Sequence, residues 1–287
     1  MELAIVGAGR VGTALAVHLA KAGHRIVAAS GRDGSRDRAQ RFLMGVPFLP
    51  PAEAVAAAEV VVLGVPDDRI AGVCADLAAR ESFRRRQSVL HLSGSVSLEA
   101  LASARVAGSR VLSLHPLQTF PDVESAVEWL PGSAIAVTAE DAKGYALGER
   151  LASDAGGRPF RLEDEKKPLY HAAAVFCSNY LTTVEGIAER LFREAGLDEP
   201  ISMFAPLATA TLENVVRLGP ENALTGPAAR GDAGTIRRNL EALETEAPDT
   251  VPAYVALATA ALRLAKESGR LSEAAQARVE EVLGEWR

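Results

Sequence analysis

Aromatic side chains make up only 5% of the sequence, although 48% of its residues are hydrophobic. A core must therefore be built from Ala, Val and Leu, which suits helices and parallel strands covered on both faces. Cysteine is scarce: Cys74 and Cys177 stand far apart in apolar stretches, without a CxxC or a nearby histidine at metal-ligand spacing. Neither a disulfide framework nor a metal site is expected, and both thiols read as small buried hydrophobes. No apolar run approaches the ~20 residues of a membrane span, and no basic leader with a cleavage site precedes the first apolar segment. Positive charge is not in excess either. Lys and Arg number 31 against 37 Asp and Glu, a net charge of −6, which lacks the basic footprint of a nucleic-acid or anionic-membrane binder. The expectation is a soluble, cytoplasmic protein that works without metal, nucleic acid or membrane.

What is present is a change of texture along 287 residues, long enough for two domains. Short apolar runs at 2–6, 25–30, 59–65, 88–92, 110–114, 133–138 and 159–162 alternate with helical patterns near 13–22, 37–42, 52–57, 68–80, 97–102 and 141–154. That alternation predicts an α/β fold with a doubly wound parallel sheet. Beyond residue 163 strand signals vanish, and helical patterns fill 168–195, 199–217, 233–246, 250–268 and 272–286. The expected domains are a Rossmann domain over 1–162 and an all-helical one over 163–287, the latter suited to substrate binding or dimerisation.

The first strand runs into Gly7-Ala8-Gly9-Arg10-Val11-Gly12, and a helix opens directly after it. A GxGxxG in this setting binds a dinucleotide: Gly7 permits the tight turn, Gly9 lets backbone approach a pyrophosphate, and Gly12 lets helix pack on strand. The helix N-terminus then faces the phosphates with unpaired amides. At the end of the second strand, where NAD sites usually carry Asp or Glu, the chain reads Ser30-Gly31-Arg32. A hydroxyl and a guanidinium suit a 2′-phosphate, so the expected cofactor is NADP. Arg36 and Arg38 either assist or are solvated loop charges beside Asp33 and Asp37. Val65 and Pro66 either line the cofactor cleft or, with Asp67, end the strand and cap the next helix.

Four segments could carry chemistry. Ser93 and Ser95, in Leu92-Ser93-Gly94-Ser95, follow a strand and could touch cofactor and substrate, or cap the helix beginning near Leu98. His115 ends a strand and is held there by Pro116. An imidazole at that edge can serve as acid or base toward an oxygen gaining or losing hydride, with Gln118 nearby for substrate. Lys167 and His171 lie four apart at the start of a long helix, and Ser178 and Thr182 extend the same polar stripe, with Asn179 a quarter turn away. That stripe either serves a ligand or is a partly exposed face with Lys167 in solvent. Arg230 either binds a substrate carboxylate or phosphate, or braces its loop by pairing with Asp232.

These motifs together resemble an uncharacterised family that joins a Rossmann-like domain to a helical domain of unknown function, distant kin of deazaflavin-dependent NADP oxidoreductases. The resemblance rests on residues 7–12, Val-Pro-Asp-Asp at 65–68, His-Pro-Leu-Gln-Thr-Phe at 115–120, Tyr-His-Ala-Ala-Ala-Val-Phe-Cys-Ser-Asn-Tyr-Leu at 170–181 and Leu-Thr-Gly-Pro-Ala-Ala-Arg-Gly-Asp at 224–232. It implies NADP binding and a homodimer formed through the helical domain. More distantly, Ser93-Gly94-Ser95 and His115-Pro116 look like motifs of prephenate dehydrogenases, which implies that His115 meets the reacting hydroxyl. The Lys167–His171 spacing is similar to the lysine and asparagine of hydroxyisobutyrate dehydrogenases and ketopantoate reductases, with histidine here in place of asparagine. The combined expectation is an NADP-dependent reductase or dehydrogenase of a small carbonyl or hydroxyl compound. A flavin partner and a non-catalytic NADP-sensing role are the alternatives.

Overall fold

The computed structural model describes residues 1–269 and 271–286. Its chain divides into two compact units, Met1–Asn179 and Tyr180 onward.

The first unit is built on a seven-stranded sheet of order β2-β1-β3-β4-β5-β6-β7. Its strands are β1 (Glu2–Val6), β2 (Arg25–Ser30), β3 (Val60–Leu63), β4 (Ser88–His91), β5 (Arg110–Pro116), β6 (Ala134–Ala139) and β7 (Arg158–Arg161). Side chains alternate across β3. Val60 and Val62 join a core with Leu15 and Leu19 of α1 (Arg10–Lys21), while Val61 and Leu63 join another with Ile70 and Cys74 of α4 (Ile70–Ala79). Both faces are thereby covered, which is why these strands read as unbroken apolar runs. Between them lie α2 (Asp33–Phe42) and α3 (Pro51–Ala56), and after β4 comes α5 (Ala102–Val106). Arg36 and Arg38 thus sit on a helix, not in a loop.

One strand departs from the expected parallel arrangement: β6 pairs with β5 antiparallel, Pro116 opposite Ile135. The seven-residue α6 (Val123–Trp129), which no hydrophobic period announced, packs against α1. It does not return the chain to the amino edge of the sheet, so β6 starts where β5 ends. The thirteen-residue α7 (Ala142–Asp154) does make that return, and β7 is parallel to β6.

The long helix expected over 168–195 is not uniform. Helix α8 (Lys167–Ala174), with Pro168 in its first turn, gives way to a π-helical turn at Val175–Tyr180 before α9 (Leu181–Glu194) begins. A π-turn winds fewer degrees per residue, so the polar stripe drawn through Lys167, His171, Ser178 and Thr182 does not continue as a straight α-helical face. The division between units falls inside this turn.

In the second unit α9 is followed by α10 (Pro200–Leu218), the short α11 (Pro220–Ala223) and α12 (Pro227–Arg230), then α13 (Ala233–Glu246), α14 (Val251–Glu267) and α15 (Glu273–Gly284). Ile236 and Leu240 of α13 pack with Val255 and Leu262 of α14 and with Val279 and Leu283 of α15. No described helix is long and apolar enough to cross a membrane. Cys74 is buried as expected, but Cys177 is exposed, on the π-helical turn.

Candidate functional site

At the carboxyl edge of the sheet the turn after β1 meets the end of β3. Gly7 has φ +95°, and a Cβ there would stand 2.7 Å from the backbone carbonyl of Gly64. A Cβ on Gly64 would in turn lie 2.6 Å from the Gly7 oxygen. Only glycine at both positions lets the two chain segments touch. Gly12 is likewise tight, 3.0 Å from the Gly7 oxygen and 3.3 Å from Ile5. Gly9 differs, with an ordinary φ of −79° and its nearest foreign atom 3.6 Å from a notional Cβ. Internal packing does not demand glycine there, so the space it keeps lies on the outer side, where α1 presents its first amides.

That side opens into a cleft of about 1070 Å³. Of the residues expected to hold a dinucleotide, Gly7, Gly9, Arg10, Val11, Gly12, Ser30, Gly31, Arg32, Val65, Pro66 and Ser93 line it, whereas Ala8 does not. Ala8 works through its backbone, its amide donating to the Ser30 carbonyl (3.0 Å) and its carbonyl accepting from Arg38 Nε (3.2 Å). The Ser30 hydroxyl, 1% exposed, has no hydrogen-bond partner among the described residues although it borders the cleft. Arg32 is exposed, while Arg36 stacks on Phe48 at 4.8 Å. Across the cleft lining Arg41 pairs with Glu124 at 2.7 Å.

The cleft also reaches Asp67 and Ser93, which belong to a second set of polar contacts. Asp67 Oδ2 accepts from the hydroxyls of Ser93 (2.6 Å) and Ser95 (2.9 Å). Asp67 therefore does not cap the following helix, and Ser95 does not cap the one near Leu98, whose amide is instead held by Asp164 at 3.0 Å. Lys167 is 1% exposed, not solvated, and its Nζ donates to the Ser93 carbonyl (3.0 Å) and the Ser113 hydroxyl (2.7 Å). Burial lowers its pKa to about 8, against the opposing pull of Asp164 and Asp67.

Beside this lysine His115 Nδ1 is hydrogen-bonded to the Tyr170 hydroxyl at 2.8 Å. The ring lies flat on Gly94, where a Cβ would come within 2.7 Å of it. His171 approaches the same ring, with centroids 6.2 Å apart. Burial first, then His171 and Lys167, push His115 down to about 4, so at neutral pH it is an uncharged imidazole. Burial also raises the Tyr170 phenol to about 12, keeping its proton in place. His91 is fully buried one strand away, its Nδ1 accepting the Ser93 amide at 3.2 Å, and burial lowers it to about 3.

His115, Lys167, His171, Ser93 and Ser95 thus converge within the first unit. Gln118 is exposed and folds back on the amide of Thr119 at 2.8 Å. Ser178 and Asn179 are exposed on the π-helical turn. Arg230 belongs to the second unit and forms no ion pair within it among the described residues. Asp232 instead spends its carboxylate on the amide (3.0 Å) and hydroxyl (2.7 Å) of Thr235, capping α13. The participants that sequence reasoning did not assign to the site are Ser113 and Gly64, and it gave Asp67 only as a cap and Tyr170 only as part of a motif. Among the described residues no group of three or more His, Cys, Asp or Glu is placed to hold a metal ion.

A family model for a Rossmann-like domain matches residues 1–116, and one for a domain of unknown function (DUF2520) matches 133–261. The two matches follow one another along the chain without overlapping. The second match begins at β6 and so takes in α8 with Lys167, Tyr170 and His171. No curated protein matches the chain significantly. Among solved structures it is similar to a protein from Bacteroides fragilis provisionally described as an NADP oxidoreductase, at 24% identity and a TM-score of 0.76, covering 91% of this chain and 98% of that one. A protein from Thermotoga maritima has 26% identity and a TM-score of 0.71, over 94% and 100% of the two chains. A pyrroline-5-carboxylate reductase from Coxiella burnetii, at 18% identity and a TM-score of 0.56 over 93% and 97%, shares the fold.

Proposed function

We propose that this protein is an NADP-dependent oxidoreductase that moves hydride to or from a small carbonyl or hydroxyl compound. One observation carries the reading. A single cleft begins at the glycine turn and ends at Asp67 and Ser93, which are hydrogen-bonded into the group holding Lys167 and adjoining His115. The residues fit the cofactor: Gly9 keeps open space that the protein itself does not need, and the Ser30 hydroxyl is buried without a partner beside it. Gly7 to Gly12 would hold the pyrophosphate, Ser30, Gly31 and Arg32 the 2′-phosphate, and Val65, Pro66 and Ser93 the nicotinamide half. When bound, the cofactor supplies the hydride, which leaves the protein to position substrate and manage one proton. His115 is the group for that proton, held uncharged by burial first and then by the neighbouring His171 and Lys167. The structural likeness to a provisionally assigned NADP oxidoreductase and to a reductase agrees with this reading.

Calorimetric titration with NADPH and NADH tests it, on wild type and Arg32→Ala. A preference for NADPH of at least about tenfold, or 1.4 kcal/mol, that shrinks in the variant is expected. Failure of either nucleotide to bind overturns it. NADP binding without turnover of any carbonyl, hydroxyl or flavin substrate would leave a sensor.

The protein is further proposed to be a homodimer. In the second unit Leu207, Val216 and Met203 of α10 are 65%, 81% and 62% exposed, and Leu181 and Val184 of α9 add to that surface. Apolar exposure on this scale marks an interface. Sedimentation should give twice the monomer mass; a monomer at micromolar concentration contradicts it.

A further inference from the structure

We propose that the Tyr170 hydroxyl keeps its proton and donates a hydrogen bond to His115 Nδ1, thereby fixing the neutral Nε2–H form, so that the resting site offers a hydrogen-bond donor to a carbonyl oxygen and is built as a reductase. This inference rests on the hydride-transfer reading above, but it concerns this chain's own side chains and is tested without turnover.

A phenol has one proton to donate, and the only hydrogen-bond partner of the Tyr170 hydroxyl among the described residues is His115 Nδ1, at 2.8 Å. If Nδ1 carried the proton, the phenol proton would be left without an acceptor in a half-buried pocket beside Phe160, whose ring centroid is 6.0 Å from that of Tyr170. A donor without an acceptor costs more there than a paired one, so the hydroxyl points at the bare nitrogen. The imidazole proton then sits on Nε2. That atom makes no hydrogen bond to a described residue, and it differs from His91 Nε2 in not being sealed from solvent. It is therefore available to a ligand.

The neutral state is supported by what surrounds the ring. His171 and Tyr170 face it from α8, the Lys167 ammonium lies beside it, and Asp67 is the one neighbouring carboxylate that acts on it. Asp67 is already engaged by two serine hydroxyls, and Lys167 disfavours a second cation. Gly94 leaves the space the ring occupies, since a Cβ there would stand 2.7 Å from Cε1 and Nδ1 and 2.8 Å from Nε2. A fixed Nε2–H can donate to a substrate oxygen and cannot remove a proton from a hydroxyl. The resting protein is accordingly suited to polarising a carbonyl oxygen, and for the oxidation direction the ring proton would have to sit on Nδ1, with the Tyr170 hydroxyl turned from donor to acceptor, so that a bare Nε2 could take the hydroxyl proton. Tyr170 is thus a positioning residue acting through His115.

The test is the nitrogen spectrum of the histidine rings in full-length protein labelled with 15N-histidine, with His115 assigned by its loss in His115→Gln. Expected in wild type at pH 7 is a neutral ring with a proton on Nε2 and none on Nδ1. In Tyr170→Phe that preference should collapse to a mixture of the two forms while NADPH binding stays within about twofold. A wild-type ring carrying its proton on Nδ1, or a charged ring at pH 7, overturns the proposal, as does an unchanged pattern in Tyr170→Phe. The wild-type spectrum decides even if the variant does not fold. Because NADPH binding is measured separately, failure here is distinct from failure of the oxidoreductase reading.

Discussion

Two regions at the same edge of one sheet are built by different means. The glycine turn is a matter of backbone, in which Gly7, Gly12 and Gly64 allow main chain to touch main chain, and its residues are near neighbours in sequence apart from Gly64. The His115 group is a matter of side chains, drawn from β4, β5, α8 and the loops between them and joined by hydrogen bonds spanning 26 to 74 residues. The first should break by steric conflict and the second by loss of partners. Substitutions can therefore separate them.

The largest effect is expected within the turn itself. Gly7→Ala places a Cβ against the Gly64 carbonyl in a left-handed backbone conformation and should cost about 3 kcal/mol or more in chemical denaturation. Gly9→Ala has room and an ordinary φ, so its stability cost should stay near 1 kcal/mol while NADPH affinity falls at least about tenfold. Equal stability losses at both positions would show that Gly9 serves packing and not a ligand.

In the side-chain region Lys167→Met leaves the Ser93 carbonyl and the Ser113 hydroxyl without their donor, at a cost of about 2 kcal/mol. Neutral behaviour in denaturation would mean that the lysine is not part of the frame. This region should also respond to pH in a way the turn does not. His91 and His115 bind protons less readily when folded, at about 3 and about 4, than in the unfolded chain near 6.5. Stability should hold above pH 6.5 and fall as pH drops toward 4, because the unfolded chain then takes up protons that the native site refuses. His91→Gln should make that decline shallower in urea midpoints measured across the same range. The smallest effect is expected from Ser95→Ala, which removes one of two hydroxyls on Asp67 and should cost about 0.5–1.5 kcal/mol with little change in NADPH affinity.

The contrast also explains which parts were legible in the sequence. The buried strands and the Gly7–Gly12 turn are written in consecutive residues, so period and spacing reveal them. The direction of β6 is not, since alternation reads the same whether a strand runs parallel or antiparallel; it depended on α6, seven residues long and amphipathic over less than two turns. The π-helical turn at Val175–Tyr180 is invisible to a 3.6-residue period, and Ser178, Asn179 and Cys177 on it are exposed. Ser95 and Asp67 read locally as helix caps because serine and aspartate favour caps, and only the approach of the β3 and β4 ends shows that they bond to each other. Tyr170 stands in the sequence only as part of the motif at 170–181, its hydroxyl meaningful only once His115 lies 2.8 Å away.

The central claim is that the cleft starting at the glycine turn delivers its ligand to His115. The most direct measurement follows the ring-proton signals of His115 during titration with NADP and, separately, with adenosine 2′,5′-bisphosphate, which lacks the nicotinamide. The account predicts that both bind, that NADP shifts the His115 signals and that the fragment leaves them in place. Binding of NADP with no change at His115, or the same change from the fragment, would contradict it.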